Sequence, residues 1–273
     1  MADVSEQADE WASKGIDITK PSIARAYDVV LHGKDNFEAD RAFVAEITKV
    51  VPEIYDVARY NREILGRGVR FLAEQGVRQF LDLGSGLPTV ENTHQVAQRV
   101  AADANVVYVD NDPIVLAHGR ALLAENDRTT VVTADLRDPA AVLGDPEVAR
   151  LIDLGKPTAI MLVGILHHLH DDEDPQGIVE AYMDAVPSGS YLFITHFCAS
   201  SQAARDAEKQ YLALLGTGRF RTPEEITAYF DGHELLEPGV VPLPLWRPDG
   251  PVPPEDELSV GQRLMYGGIA RKP

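Results

Sequence analysis

The stretch Phe80-Leu-Asp-Leu-Gly-Ser-Gly-Leu-Pro-Thr89 decides the fold, because it predicts a buried strand that enters a glycine turn. A helix is expected to begin near Val90, directly after this turn. Gly84 and Gly86 permit backbone torsions and a close approach that a side chain would prevent. A ligand can therefore lie against the turn, at the point where the strand ends.

Further apolar runs follow this strand and alternate with predicted helices. Together with residues 79–83, the predicted strands are Val106–Asp110, Thr130–Thr133, Thr158–Ile165 and Ser190–Phe197. A capping residue precedes a proline at four helix starts, which are Asp112-Pro113, Asp138-Pro139, Asp174-Pro175 and Thr222-Pro223. The alternation predicts right-handed βαβ units, and hence an α/β fold with an open parallel sheet and helices on both faces. Ligands of such sheets bind at the carboxyl ends of the strands.

The two ends of the chain differ from this alternating region. Residues 1–19 are polar and aperiodic, so we expect a mobile segment there. Apolar spacing predicts helices at Ser22–Leu31, Phe37–Val51 and Val57–Ala73, which would form a helical lid over residues 20–73 ahead of a core at 74–273. Two more strands, Glu234–Val241 and Gln262–Arg271, should extend one edge of the sheet. An irregular, proline-rich loop from Pro238 to Glu257 joins them.

Composition excludes several classes of protein. The 273 residues carry a formal net charge of −18, which argues against nucleic acid as a partner. The longest apolar run, Ala159–Leu166, is far shorter than the ~20 residues of a membrane-spanning helix, so no membrane partner is expected. The start of the chain is acidic, unlike a signal peptide. The single cysteine, Cys198, fits a reducing compartment, and we expect a cytoplasmic protein.

Three carboxylates lie at or near the carboxyl ends of three successive predicted strands. Asp82 lies two residues before the first glycine and can receive an ammonium group, whereas Asp110 ends the second strand and can accept ribose hydroxyls. Asp135 follows the third strand, where it can accept a hydrogen bond from an adenine amino group. Asn111 lies beside this set. The dinucleotide fingerprint requires a third glycine where this chain has Thr89, so the pattern favours a nucleoside that bears an amino acid.

Histidines mark the ends of two later strands. His167 and His168 follow the fourth strand and His196 lies in the fifth, so any of them could serve as a general base. The segment Ile165–Asp172 also contains metal-ligand residue types. We favour a solvated helix entrance at Asp171–Asp174 over a metal site, and no metal ligand is predicted.

The order of these motifs resembles that of the class I S-adenosylmethionine-dependent methyltransferases. The series is Asp82-x-Gly84-x-Gly86, Asp110, Asp135 and Gly164-Ile-Leu-His-His168. More narrowly, the chain resembles an actinobacterial family called S-adenosyl methyltransferase, formerly a domain of unknown function, over residues 20–273. The matching segments are Lys20–Asp28, Gly33-Lys-Asp-Asn-Phe37, Asp82–Thr89, Tyr108–Pro113 and Tyr266–Arg271.

This resemblance implies a Rossmann-like, seven-stranded, mostly parallel sheet whose last strand is antiparallel. It places Asp82, Gly84 and Gly86 near the methionine part of S-adenosylmethionine, Asp110 on the ribose, and Asp135 with Leu136 near the adenine. S-adenosylhomocysteine would be the product. Many members of the class have a glycine where this chain has Pro88, so their hydrogen bonds to the methionine carboxylate do not transfer.

Other residues are candidates for the remaining contacts. Arg62 or Lys34 could supply the cation for the methionine carboxylate. Tyr27 and Phe37, with Lys34, lie on the predicted lid and could cover the ligand side of the sheet. Trp246, in the proline-rich segment, could either face the acceptor or anchor its loop to the core.

Three functions remain open on the sequence. The first is a methyltransferase that passes a methyl group from S-adenosylmethionine to an O or N atom of a small-molecule acceptor. The second is a nucleoside-binding protein or sensor without turnover, because methyl transfer from a sulfonium requires little beyond alignment. The third, a nicotinamide-dependent oxidoreductase, is disfavoured by the missing third glycine and by Asp82.

Overall fold

A parallel sheet forms the centre of the molecule. The fold comes from a computed structural model that describes residues 16–88, 91–123 and 127–273. The parallel strands are β1 (Gln79–Leu83), β2 (Asn105–Asp110), β3 (Thr129–Thr133), β4 (Ala159–Val163) and β5 (Tyr191–Phe197). Each lies at the predicted place, although β4 ends earlier than expected because Gly164 leaves the extended region at φ 77°.

The antiparallel edge differs from the prediction in one respect. Strand β8 (Met265–Arg271) runs antiparallel to β5, and its other side pairs with both β6 (Glu234–Leu235) and β7 (Val241–Pro242). The sequence predicted one strand where β6 and β7 are separate, and that prediction is wrong. Pro238 has no N–H to donate and Gly239 has φ 91°, so the segment turns between them. The described strands form one eight-stranded sheet in the order β3-β2-β1-β4-β5-β8-β6, and β7 pairs with β8 on the same side as β6.

Helices cover both faces of the sheet, as predicted. They are α1 (Ile23–Val30), α2 (Glu38–Val50), α3 (Ile54–Glu74), α4 (Thr93–Val100), α5 (Pro113–Leu123), α6 (Pro139–Leu143), α7 (Pro146–Leu151), α8 (Pro175–Asp184), α9 (Gln202–Leu214) and α10 (Pro223–Ala228). All four proline-marked helix starts are confirmed. Thr222 and Glu225 form the capping box of α10. Among the described helices, none combines the length and apolar composition needed to cross a membrane.

Alternate residues of each central strand pack into separate cores. In β1, Phe80 faces the core formed with α1–α4 and α9, whereas Leu81 and Leu83 face the core formed with α6–α8. Helix α3 lies directly on the sheet: a Cβ at Gly68 would come within 2.5 Å of the Phe193 ring. The three N-terminal helices therefore share a core with the sheet. The division of the chain at residue 73 stays a prediction.

A buried carboxylate organises the loop that follows α1. Asp28 accepts hydrogen bonds from the Asp35 amide at 2.9 Å and from Asn36 Nδ2 at 2.8 Å. A Cβ at Gly33 would lie 1.8 Å from Asp28 Oδ1, so this position requires glycine. The motif Gly33–Phe37 thus shapes the lid. Of the segment predicted to be mobile, residues 1–15 lie outside the described residues, and Ile16 is buried.

Candidate active site

The glycine turn after β1 forms one wall of the site. Gly84 and Gly86 have φ 70° and 67°, which glycine adopts without strain. A Cβ at Gly84 would lie 2.3 Å from Ile165 Cγ1, whereas a Cβ at Gly86 would meet no atom within 4 Å. Gly84 is therefore required by packing. Gly86 borders open space that a ligand can fill.

Asp110 holds this turn in place. Its Oδ2 accepts a hydrogen bond from the Gly86 amide at 2.8 Å, and its Oδ1 accepts one from the Asp112 amide at 2.9 Å. Burial raises the pKa of Asp110, and these amides oppose the shift. Each oxygen keeps a second lone pair, so the carboxylate can still accept the hydroxyls of a ribose.

Asp82 is a buried carboxylate beside the turn. Its Oδ2 accepts a hydrogen bond from Thr93 Oγ1 at 2.7 Å. Burial raises the pKa of Asp82 to about 6, while the Thr93 hydroxyl and the charge of Arg62 act in the opposite direction. A cationic ligand group would compensate the buried negative charge, so the site is suited to an ammonium group.

Asp82→Asn should stabilise the free protein while weakening its ligand site. The folded-state pKa exceeds the unfolded value of 3.8, so ionised Asp82 destabilises the fold increasingly as pH rises to about 6. We expect urea unfolding at pH 8 to show that the free energy of unfolding of the variant exceeds that of the wild type by about 1–3 kcal/mol. This difference should be smaller at pH 5.

Asp153→Asn serves as the control for this prediction. Hydrogen bonds from the Gly155 amide and Lys156 lower the pKa of the exposed Asp153, so its replacement should not stabilise the fold. A loss of stability in Asp82→Asn at pH 8 would contradict the argument.

Asp135 is engaged differently from the other two carboxylates. It forms a bidentate ion pair with Arg137, in which Nε donates to Oδ1 at 2.9 Å and Nη2 donates to Oδ2 at 2.5 Å. Arg137 lowers the pKa of Asp135. Leu136 is buried in the core, and its carbonyl accepts a hydrogen bond from Tyr182. Asn111 lines the cavity that opens at the carboxyl ends of β1, β2 and β4, whereas Asp135 and Leu136 do not.

A cavity of about 350 Å³ opens at the carboxyl ends of β1, β2 and β4, a size typical of small-molecule sites. One end is polar and the other apolar. The polar end includes Arg62, Asp82, Gly84, Ser85, Gly86, Asp110, Asn111 and Asp112. The apolar end includes Val30, Phe43, Val44, Ile47, Ile54, Val57, Ala58, Phe197, Tyr211, Leu215 and Met265. Among the described residues, Ser85 Oγ is buried without a hydrogen-bond partner.

A chain of hydrogen bonds crosses from the sheet to the lid. Thr195 Oγ1 on β5 donates to Asn61 Oδ1 at 2.7 Å, and Asn61 Nδ2 donates to the Tyr27 hydroxyl at 3.0 Å. Both Tyr27 and Asn61 line the cavity. The contact from Thr195 fixes which end of the Asn61 amide faces Tyr27. The lid is therefore held against the sheet where the two ends of the cavity meet.

The three histidines fall into different environments. His167 and His168 line the cavity, and Nδ1 of His168 lies 3.0 Å from Thr217 Oγ1. Burial lowers the pKa of His168 to about 3 and that of His167 well below its usual value. His196 is fully buried between the Phe197 carbonyl and Arg221, and it does not line the cavity. Its role is consistent with structural support.

Three other sequence candidates lie away from the cavity lining. Lys34 is exposed, and Phe37 packs near Ile16 with the Arg25 guanidinium over its ring. Trp246 is fully buried against Phe71 and Phe193. The proline-rich loop is thus anchored to the core through Trp246. The remaining candidate cation, Arg62, lines the cavity and donates to the Glu91 carbonyl at 2.8 Å.

Sequence reasoning missed Asn61, Thr217 and Tyr211. Asn61 lies on a helix whose apolar spacing had been the only signal used, and a polar residue on that buried face could have been noticed. Thr217 lies between Gly216 and Gly218, both with positive φ, in a turn that no pattern marked as part of the site. Tyr211 resembles any core aromatic on an amphipathic helix.

Comparisons with known proteins show similarity along nearly the whole chain. A family model described as S-adenosyl methyltransferase matches residues 9–273. A candidate methyltransferase from Thermobifida fusca YX is 55% identical, with a TM-score of 0.92 over 96% of this chain and 98% of that chain. A DUF574 family protein from Streptomyces avermitilis MA-4680 is 39% identical, with a TM-score of 0.89 over 94% of this chain and 99% of that chain.

More distant structures share the fold alone. An O-methyltransferase family protein from Burkholderia thailandensis is 14% identical, with a TM-score of 0.52 over 98% of this chain and 69% of that chain. No curated protein matches the chain. The residues that the structure describes also hold no cluster of three or more histidine, cysteine or acidic side chains suited to a metal ion.

Proposed function

The chain belongs to the S-adenosyl methyltransferase family, and we propose from that premise that it methylates an O or N atom of a small molecule. One observation carries the proposal: a single cavity joins a charged end at the strand termini to an apolar end beneath the N-terminal helices. S-adenosylmethionine supplies an activated methyl group when bound at the charged end. The acceptor occupies the apolar end, with the lid excluding water.

The residues of the charged end fit the cofactor. Asp82 takes the ammonium group and Asp110 the ribose hydroxyls, while Gly84 and Gly86 let the ligand lie against the turn. Arg62 takes the methionine carboxylate. The open space at Gly86 and the unpartnered Ser85 hydroxyl, among the described residues, support this assignment. Asp135 and Leu136 contribute less, because Asp135 is already paired with Arg137.

His168 is the residue that takes the acceptor's proton. It lines the cavity, and in the tautomer whose Nδ1–H donates to Thr217 Oγ1, 3.0 Å away, the unprotonated Nε2 is left for the acceptor. His167 shapes the same wall. We place the reaction in the cytoplasm, in keeping with one buried, free cysteine and a charge of −18 that disfavours nucleic acid as acceptor.

Isothermal titration with S-adenosylhomocysteine tests the cofactor site. We expect Asp110→Ala to weaken binding at least about tenfold, which corresponds to about 1.4 kcal/mol, because the ribose loses its acceptor and the turn loses its clamp. Asp135→Ala is the comparison variant and should bind much like the wild type. No heat from the wild-type protein, or an unchanged affinity in Asp110→Ala, would contradict the assignment.

A further inference from the structure

The charges that line the cavity are all at one end. They belong to Arg62, Asp82, Asp110 and Asp112, which lie at or beside the ends of β1 and β2. The Arg62 guanidinium donates to the Glu91 carbonyl, and its charge acts on Tyr27 as well as on Asp82. The lining of the apolar end contains no acid, lysine or arginine among the described residues. A charged acceptor would therefore lose its hydration there without gaining an ionic partner.

Three aromatic side chains, Phe43, Phe197 and Tyr211, contribute to the apolar end. Tyr211 packs edge-on against Phe43 with ring centroids 5.2 Å apart, and the Phe197 ring lies 5.4 Å from Tyr211. His168 lies 6.4 Å from the same tyrosine ring. Rings arranged in this way favour a flat aromatic guest, which gains edge-to-face and stacking contacts.

Polar groups at this end are few and uncharged. They are Tyr27, Asn61, His167, His168 and Thr217. Tyr27 and Asn61 are already bonded to each other, and burial keeps both histidines neutral. His168, which contacts Thr217, and His167, whose Nδ1 is buried without a hydrogen-bond partner among the described residues, therefore offer the acceptor its polar contacts. One hydroxyl on an otherwise apolar molecule would satisfy this arrangement.

We infer that the acceptor is an uncharged phenol, which is methylated on its hydroxyl oxygen. This inference rests on the proposed function and narrows its acceptor class. The phenolic oxygen bonds to the methyl carbon while the carbon–sulfur bond breaks and its electron pair stays on sulfur. The phenolic proton goes to Nε2 of His168 and then to water. The products are the methyl ether and S-adenosylhomocysteine.

A matched pair of probes tests the acceptor class. 2-Naphthol and 6-hydroxy-2-naphthoate differ by one carboxylate, and each is titrated into the full-length protein saturated with S-adenosylhomocysteine. We expect 2-naphthol to bind at least about tenfold more tightly, since the carboxylate would be buried unpaired. Equal affinities, tighter binding of the naphthoate, or binding of neither probe would overturn the inference.

Leu215→Lys should reverse this preference. Leu215 is half-buried in the cavity wall, just after α9, where a cation is favoured by the helix dipole. The new ammonium group should tighten naphthoate binding and weaken 2-naphthol binding. Leu214→Lys is the matched control, because Leu214 is 42% exposed and faces away from the cavity lining. A preference unchanged in both variants would count against the inference.

The cofactor titration separates the two levels of the proposal. If S-adenosylhomocysteine binds and neither naphthol-based probe does, the acceptor class is wrong and the methyltransferase assignment stands. If S-adenosylhomocysteine itself does not bind, the proposed function fails and the acceptor class fails with it.

Discussion

Gly86→Val should abolish cofactor binding while leaving the fold intact. A Cβ at Gly86 meets no protein atom within 4 Å, so the added side chain occupies the space beside Asp110 where we propose that the ligand binds. We expect the affinity for S-adenosylhomocysteine to fall at least about 100-fold, or about 2.7 kcal/mol. Isothermal titration measures the loss, and the acceptor probes are not needed.

Gly76→Val provides a control, because Gly76 also has a positive φ but lies away from the cavity. Gly76 follows α3 with φ 91°, and a Cβ there also meets nothing within 4 Å. Each substitution places a branched residue in the left-handed region, at a cost of about 1–2 kcal/mol in unfolding free energy. Both variants should lose similar stability, and only Gly86→Val should lose binding. Equal binding by the two variants would show that the turn does not face the cofactor.

The parallel sheet could be predicted from the sequence because its strands carry their own signal. Strands β1, β4 and β5 are buried along their length, and the helices at Pro113, Pro139, Pro146 and Pro175 begin at a proline. The strand predicted over Glu234–Val241 failed because alternation alone does not show that Pro238 and Gly239 together turn the chain. Local propensity outweighed the apolar pattern there.

The charged end of the site was easier to predict than the apolar end. Asp82, Gly86 and Asp110 lie at strand ends, where chain topology alone brings them together. The apolar end is built from helices whose relative positions depend on packing, so Tyr211 carried no sequence signal of its own, and Asn61 carried only that of a polar residue on an apolar helix face. A position at a strand end is not sufficient, however, because the carboxylate of Asp135 is already paired with Arg137, two residues later.

Neutral histidines and a closed lid have a common consequence for catalysis. The Thr195–Asn61–Tyr27 chain ties α1 and α3 to β5, so the acceptor end is shielded by a packed wall. In such a wall a protonated imidazole is disfavoured, which is why the pKa of His168 falls to about 3. Burial therefore keeps the imidazole of His168 neutral before the acceptor arrives.

His168→Gln should lower kcat for an acceptor of the inferred class by about tenfold, less than a well-matched general base contributes, because the pKa of His168 lies far below the operating pH. Glutamine preserves size and polarity but cannot take a proton, so KM and the affinity for S-adenosylhomocysteine should change little. His170→Gln is the matched control, because His170 lies on the same loop, contacts the Gly216 carbonyl and does not line the cavity. Steady-state kinetics under saturating S-adenosylmethionine measures both variants.

The pH profile tests whether burial keeps His168 neutral across the working pH range, and the Thr217 variants test its role in proton transfer. Because the pKa of His168 is held near 3, kcat of the wild type should stay flat between pH 6 and 9. A histidine with an ordinary pKa of about 6.5 would instead lose activity as pH falls below that value. Thr217→Val should lower kcat by removing the contact to Nδ1, and Thr217→Ser should restore it by supplying the hydroxyl again. Full activity in His168→Gln would contradict the prediction, because the proton of the acceptor hydroxyl would then pass directly to solvent.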